Sequence, residues 1–279
     1  MPINKAIITA AGRSQARLPL QTVVDRSGQV RSALELVMEE VLSAGIEDVA
    51  IVICPGEAER YAQAAGPHAP RLTFFEQTDP RGYGDALLRA RSFVDSDRFL
   101  HLVSDHLYVS RHEKSCAAQL VAVADREQCS VSAIQPTREN QLAFFGAVGG
   151  VPVPRQTGLY EVHTVMEKPT PTVAEQRLIV AGQRAGHYLC MFGMHVLSPS
   201  IFELLEQRVA QLQPGESANL SSSLDKLARS ERYLAAQLDG ERYNIGEKYG
   251  LLIAQLAIAL SGEDRDRILT ELVELLAKR

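Results

Sequence analysis

Four groups of residues in this chain are of a type and spacing that can do chemistry. The first is the loop Ala10, Ala11, Gly12, Arg13, Ser14, Gln15, Ala16, Arg17, which follows the apolar run Ala6, Ile7, Ile8. Small residues after a buried strand let the backbone approach a phosphate, and an arginine at the end of such a loop neutralises it. A tight turn has the same look. The second group is Gln77 followed by Gly82, Gly84 and Asp85. Two glycines at the mouth of a helix leave amides and the helix dipole free for an anion or the polar edge of a base, or simply make a turn. The third is Asp105, directly after the apolar stretch 98–104. An aspartate there either holds Mg²⁺ bound to phosphates or caps a turn. The fourth is Glu167 and Lys168 before Pro169, where the lysine is either solvated or meets a phosphate. His101, His106 and His112 fit no compact zinc spacing and are read as core or surface residues.

The elements that must position these groups follow from periodicity. Residues 3–9, 48–53, 72–76, 98–104 and 129–134 read as short buried strands. Between them, residues 30–44, 57–65, 85–93 and 113–124 read as helices, with Gly45 ending the first of them. Strand, helix and strand at this spacing make right-handed βαβ units of a parallel sheet. From residue 142 the alternation is less regular. Strands are expected at 142–148, 159–167, 187–196 and 233–238, and helices at 199–212 (capped by Ser198), 220–228, 248–260 and 264–277. The fold class is therefore α/β: a Rossmann-like, mixed but mostly parallel central sheet flanked by helices, a small β-rich region and C-terminal helices. Residues 1–260 read as the α/β domain. Its first half, 1–140, holds the small-residue loops suited to a phosphate, and 141–245 closes over a substrate. Residues 261–279 form a terminal helix that packs on its own domain or joins subunits.

Composition narrows the function classes. A net charge of −5 supplies no basic field for nucleic acid or an anionic membrane. No apolar run is long enough for a membrane span, and the start lacks a signal peptide's pattern. Cys54, Cys116, Cys129 and Cys190 are widely spaced, which reads as reduced thiols of a cytoplasmic protein.

Taken in order, the motifs resemble the sugar-1-phosphate nucleotidyltransferase family, and the bacterial UTP–glucose-1-phosphate uridylyltransferases within it. Ala10, Ala11 and Gly12 match the start of that family's A-A-G-x-G-T-R loop. Gln77 to Ala86 is similar to its Q-x4-G-L-G-H-A segment, which reads uracil. Asp105 falls at its metal-binding aspartate, and Phe145 and Gly146 at its sugar-contacting glycine. Val165 to Pro169 resembles its V-E-K-P motif, in which the glutamate holds sugar hydroxyls and the lysine the sugar phosphate. Tyr243 to Gly250 resembles its D-x-G-x-x-x-G-Y.

The resemblance implies transfer of a uridylyl group from UTP to a sugar 1-phosphate, with Mg²⁺ as cofactor and glucose 1-phosphate as acceptor. It implies catalytic Arg17, Lys168 and Asp105. Ala10, Ala11, Gly12, Arg13, Gln77, Gly82 and Asp105 would bind nucleotide, Gly146, Glu167 and Lys168 the sugar, and Asp105 and Asn244 the metal. A homo-oligomer, dimer or tetramer, is expected. The departures fall on charged groups. Without a gap Ala16 takes the arginine's place, and one inserted residue restores Arg17, with Arg13 as second candidate. Ser14 replaces the second glycine. The lysine of the family's P-K-x-M-L-P stretch is missing, leaving Arg26 or Arg31 as substitutes. Asn244 replaces an aspartate, and Asp85 a histidine. These losses also suit a nucleotide-sugar binding or regulatory homologue, or an enzyme of different base or sugar specificity.

Overall fold

The computed structural model describes residues 3–278. Its strand β1 (Lys5–Thr9) is buried from Ala6 onward, with Ala6 and Ile8 entering one core and Ile7 the other. That is the two-residue period of a strand covered on both faces. The chain continues through β2 (Thr22–Val24), β3 (Val30–Ser32), α1 (Ala33–Leu42), β4 (Asp48–Ile53), α2 (Ala58–Ala64), β5 (Leu72–Glu76), α3 (Tyr83–Arg89), α4 (Arg91–Val94) and β6 (Phe99–Val103). Next come β7 (His106–Ser110), α5 (Cys116–Glu127), β8 (Ser130–Arg138), β9 (Ala147–Pro152), β10 (Leu159–Met166), α6 (Pro171–Arg177) and β11 (His187–Leu197). The last part comprises α7 (Ser200–Ala210), α8 (Leu220–Ser230), β12 (Tyr233–Gln237), β13 (Gly240–Asn244), α9 (Gly250–Leu260) and α10 (Arg265–Ala277).

Among the described residues, nine strands form one sheet in the order β5-β4-β1-β6-β11-β8-β12-β10-β9. The block β5-β4-β1-β6 is wholly parallel. Beyond it β11 and β10 are reversed, while β8, β12 and β9 keep the common direction. The expectation of a mixed, mostly parallel sheet is borne out. One core lies between the sheet and α1, α5 and α9, and the other under α3, α7 and α8. A smaller cluster around Leu142, Ala147, Leu178 and Cys190 sits under β9 and β11. Apart from the sheet, β7 pairs with β13 and β2 with β3. The four cysteines are free, and Cys116 and Cys190 are buried.

Several boundaries differ from the sequence reading. The helix expected over 30–44 starts only at Ala33. Ser32 Oγ accepts the Glu35 N–H at 3.0 Å and Glu35 accepts the Ser32 N–H at 2.8 Å, a capping box that frees Val30 to Ser32 to pair as a strand. The strand expected over 142–148 is a 3-10 turn that leads into β9, with Leu142 drawn into the small core. The helix expected over 85–93 begins at Tyr83 and breaks at Ala90 into α3 and α4. Ser198 does not cap α7, because its hydroxyl donates to Glu231 at 2.7 Å.

Candidate active site

The segments leaving β1, β5, β6, β10 and β13 converge on one cavity of about 760 Å³. Its wall contains Ala10, Ala11, Gly12, Arg13, Gln77, Gly82, Asp105, Glu167, Lys168 and Asn244. Two expected residues are not in that wall. Gly146 stands just behind it, and an added Cβ there would lie 2.9 Å from Ser221 Oγ and 3.4 Å from Glu167 Oε2. A side chain there would crowd the Ser221 hydroxyl that binds Glu167. Arg17 is exposed.

The loop after β1 explains where Arg17 goes. Gly12 C=O accepts the N–H groups of Gln15 and Ala16 at 2.8 and 2.7 Å, which closes a single turn. The Tyr61 hydroxyl then donates to the Ala16 carbonyl at 2.6 Å and holds Ala16 inward. Arg17 follows on the solvent side, and Arg13 is the arginine in the cavity wall. Arg26 and Arg31 do not replace the missing lysine either. Arg26 donates to the Ser110 carbonyl and Arg31 pairs with Asp25 and Glu39, around a separate cavity.

The wall near Gln77 is set by buried polar contacts. Gln77 Nε2 donates to the Gly82 carbonyl at 3.1 Å and to Asp85 at 2.7 Å. Asp85 is fully buried and pairs with Arg81 and Arg89 at 3.0 and 2.7 Å. Asp85 therefore orients the amide rather than entering the site, and leaves Gln77 Oε1 as the free acceptor. Gly82 has φ +112°, and a Cβ there would meet the Ala218 backbone at 2.7 Å. No other residue type fits that position without displacing α8's lead-in. Tyr83 also lines the cavity. The Ile7 carbonyl can only accept, so His101 Nδ1 donates to it at 2.9 Å and His101 Nε2 accepts the Tyr83 hydroxyl at 2.6 Å. Burial holds His101 down to about 4, consistent with this neutral tautomer.

Asp105 and Asn244 are far apart in sequence and adjacent in space. Strand β13 pairs with β7 so that Asn244 opposes His106, and the Ile245 N–H donates to the Asp105 carbonyl at 2.9 Å. Burial pushes the Asp105 carboxyl up. The charge and hydrogen bond of His106, whose Nδ1 lies 2.8 Å away, outweigh this with help from Lys168 and hold it below the usual carboxylate range. Asn244 Oδ1 accepts the Gly246 N–H at 2.9 Å. Among the described residues no three His, Cys, Asp or Glu side chains cluster as a metal site.

Glu167 accepts a hydrogen bond from Ser221 Oγ at 2.5 Å. Lys168 has φ +44°, a left-handed conformation that a lysine adopts only under constraint, and its N–H donates to the Phe145 carbonyl at 3.2 Å. Sequence reasoning missed Tyr83, His106 and Ser221. The tyrosine between two glycines, where the family has leucine, was the available signal for Tyr83. Nothing local marks Ser221.

The nucleotidyl transferase family model matches residues 19–259. The chain belongs to the nucleotidyl transferase family. It is 27% identical to the UTP–glucose-1-phosphate uridylyltransferase of Streptococcus pneumoniae, over 92% of this chain and 91% of that protein. It is 28% identical to a protein of the same name from Streptococcus pyogenes, over 92% and 89%. Its fold is that of the UTP-bound UGPase from Acinetobacter baumannii, with TM-score 0.74, 21% identity and coverage of 97% and 98%. It is likewise that of a UDP-glucose pyrophosphorylase complexed with UDP-glucose, with TM-score 0.73, 23% identity and coverage of 91% and 98%. The resemblance stated from the motifs is borne out. Among the described residues of this nucleotidyl transferase, no helix is long and apolar enough to cross a membrane.

Proposed function

We propose that this nucleotidyl transferase works in the cytoplasm and moves a uridylyl group from UTP to a sugar 1-phosphate, glucose 1-phosphate being the acceptor. One observation carries the reading: a small-residue loop, an oriented glutamine, an ionised aspartate, and a glutamate–lysine pair share the wall of one cavity. Relatives that bear the name UTP–glucose-1-phosphate uridylyltransferase align along nearly the whole chain.

An oxygen of the sugar phosphate attacks the α-phosphorus of UTP. The bond to the β-phosphate oxygen breaks, and pyrophosphate leaves with the electron pair. No residue becomes covalently attached, so catalysis is positioning and charge neutralisation. Arg13, rather than Arg17, and Lys168 neutralise phosphate oxygens from the wall. Gln77 Oε1 accepts the N3–H of uracil, its Nε2 being engaged by Gly82 and Asp85. The amides of Ala11 and Gly12 approach the phosphates. Glu167, held by Ser221, accepts sugar hydroxyls beside Gly146.

Asp105 and Asn244 fit Mg²⁺, since this ion takes one or two protein oxygens and completes its shell with phosphates and water. Asp105 is kept ionised, and Asn244 brings a neutral amide oxygen to the same wall. When bound there, the ion would supply positive charge that offsets the charge of the phosphates. Residues 1–140 serve as the nucleotide half and 141–245 as the sugar half. The exposed Leu269, Val273, Leu275 and Leu276 of α10 suit contact with a second copy of the chain.

The test is pyrophosphate release from UTP, Mg²⁺ and glucose 1-phosphate, with ATP, dTTP and other hexose 1-phosphates run in parallel. Turnover fastest with UTP and glucose 1-phosphate is expected. No turnover with any pair, while UDP-glucose still binds, would replace this reading with a nucleotide-sugar binding role.

A further inference from the structure

Arg242, in β13, is 7% exposed and charged in character, yet unpaired. Among the described residues its side chain makes no ion pair and no hydrogen bond, and its Nε and Nη2 are buried without partners. Its guanidinium carbon lies 3.8 Å from the centre of the Phe145 ring. One aromatic face offsets only part of the desolvation of a guanidinium, which has five N–H donors to satisfy. Burial pulls Arg242 down to about 10, so it remains protonated at neutral pH.

Arg242 lines a cavity of about 500 Å³ together with Thr137, Gln135 and Lys248. This cavity abuts the active-site cavity, and Phe144 and Asn244 stand in both walls. Of the two carboxylates in the second wall, Glu241 is engaged by Arg111 and the Tyr243 hydroxyl. Glu247 is in no ion pair among the described residues and is the carboxylate that opposes Arg242. Two residues along the same face of β13, Asn244 takes the place of the family's aspartate. The aspartate's negative charge is thus absent from this face of β13, and Glu247 is the carboxylate whose charge acts on Arg242.

We propose that this second cavity is an oxyanion subsite, in which Arg242 and Lys248 hold a carboxylate or phosphate group next to the nucleotidyl transfer site. The group has two sources: it is carried on the acceptor sugar, or it is a free anion such as inorganic phosphate. The first source rests on the uridylyltransferase reading, and the second does not.

The experiment has two arms, each run on the wild type, Arg242→Gln, Arg242→Lys and Glu247→Gln, with thermal unfolding checked for every variant. The first arm measures inorganic phosphate binding calorimetrically, in an Arg13→Ala, Lys168→Ala background so that the active-site cations do not contribute. The second compares KM for glucuronic acid 1-phosphate and for glucose 1-phosphate. Loss of one charge-assisted contact is expected to weaken the anion by about tenfold or more in Arg242→Gln. Arg242→Lys should retain most of the binding, and Glu247→Gln should tighten it.

A rise in KM for the uronate alone assigns the anion to the sugar. Weakened phosphate binding with both KM values unchanged assigns it to a free anion. If the wild type turns over neither sugar phosphate, the uridylyltransferase reading fails and the phosphate arm still decides the subsite. The proposal is overturned if Arg242→Gln moves neither readout. If that variant does not fold, it is overturned by Glu247→Gln leaving both unchanged.

Discussion

The two walls of the cavity are built in different ways. On the proposed base side, Ala10 to Gly12, Gln77 and Asp105 each lie within two residues of the end of their own strand or continue from it, and those strands belong to the parallel block β5-β4-β1-β6. Backbone pairing and two apolar cores hold each residue in place independently. On the proposed sugar side every group depends on a distant segment. Glu167 is held by Ser221, the Lys168 N–H by Phe145, and Asn244 by the β7–β13 pairing. Lys168 also keeps a left-handed backbone that a free chain would abandon. The base side is therefore a rigid platform inherited from strand ends. The sugar side is an assembly that single contacts can loosen.

The largest expected effect crosses both walls. Asp105→Ala and Lys168→Ala should each lower kcat by about a hundredfold or more, as loss of an electrostatic stabiliser does. A change of only a few-fold in pyrophosphate release would mean that the site lies elsewhere. Next, Arg13→Ala should lower kcat/KM by roughly tenfold or more, while Arg17→Ala should leave it within about twofold. The reverse ranking would show that the loop rearranges when nucleotide binds.

A sharper test of the contrast is Ser221→Ala. It should raise KM for the sugar phosphate by about tenfold and leave KM for UTP unchanged, because one charge-assisted hydrogen bond is lost. Equal changes in both would erase the distinction between a platform and an assembly.

The smallest effect concerns the seam where the sheet first reverses direction. There β6 pairs antiparallel with β11, and the rings of His101 and His195 stack 5.9 Å apart. Burial lowers His101 from 6.5 to about 4, and burial with the neighbouring His101 lowers His195 to about 3. Below pH 6.5 the unfolded chain takes up protons that the folded chain refuses. Stability is thus fully present above that pH and declines as pH falls towards 4, by about 1.4 kcal/mol per pH unit for each histidine at most. Denaturant unfolding of His195→Asn should show a shallower acid slope than the wild type. An identical slope would remove the seam from the account.

The fold was legible because its signals are local. Strands β4 and β5 were placed to the residue by their apolar runs, and the loops after β1, β5 and β6 were recognised from small residues beside charged ones. Short pairings were not legible. Three-residue strands such as β2 and β3 bury too little to leave a pattern, and β7 is distinguished from a loop only by β13, which lies 130 residues further on. The same limit applied to the arginines, since composition cannot say which of Arg13 and Arg17 faces inward when one hydroxyl, that of Tyr61, decides it.

By itself, the sequence determined the α/β class, the order of the motifs and thereby the family, because side-chain periodicity and short motifs are properties of neighbouring residues. Only the tertiary structure decided that Asp85 orients Gln77, that Asn244 stands beside Asp105, that Ser221 holds Glu167, and that Arg242 is buried without a partner. Each of these depends on how separate segments pack against one another, and such packing leaves no trace in local spacing.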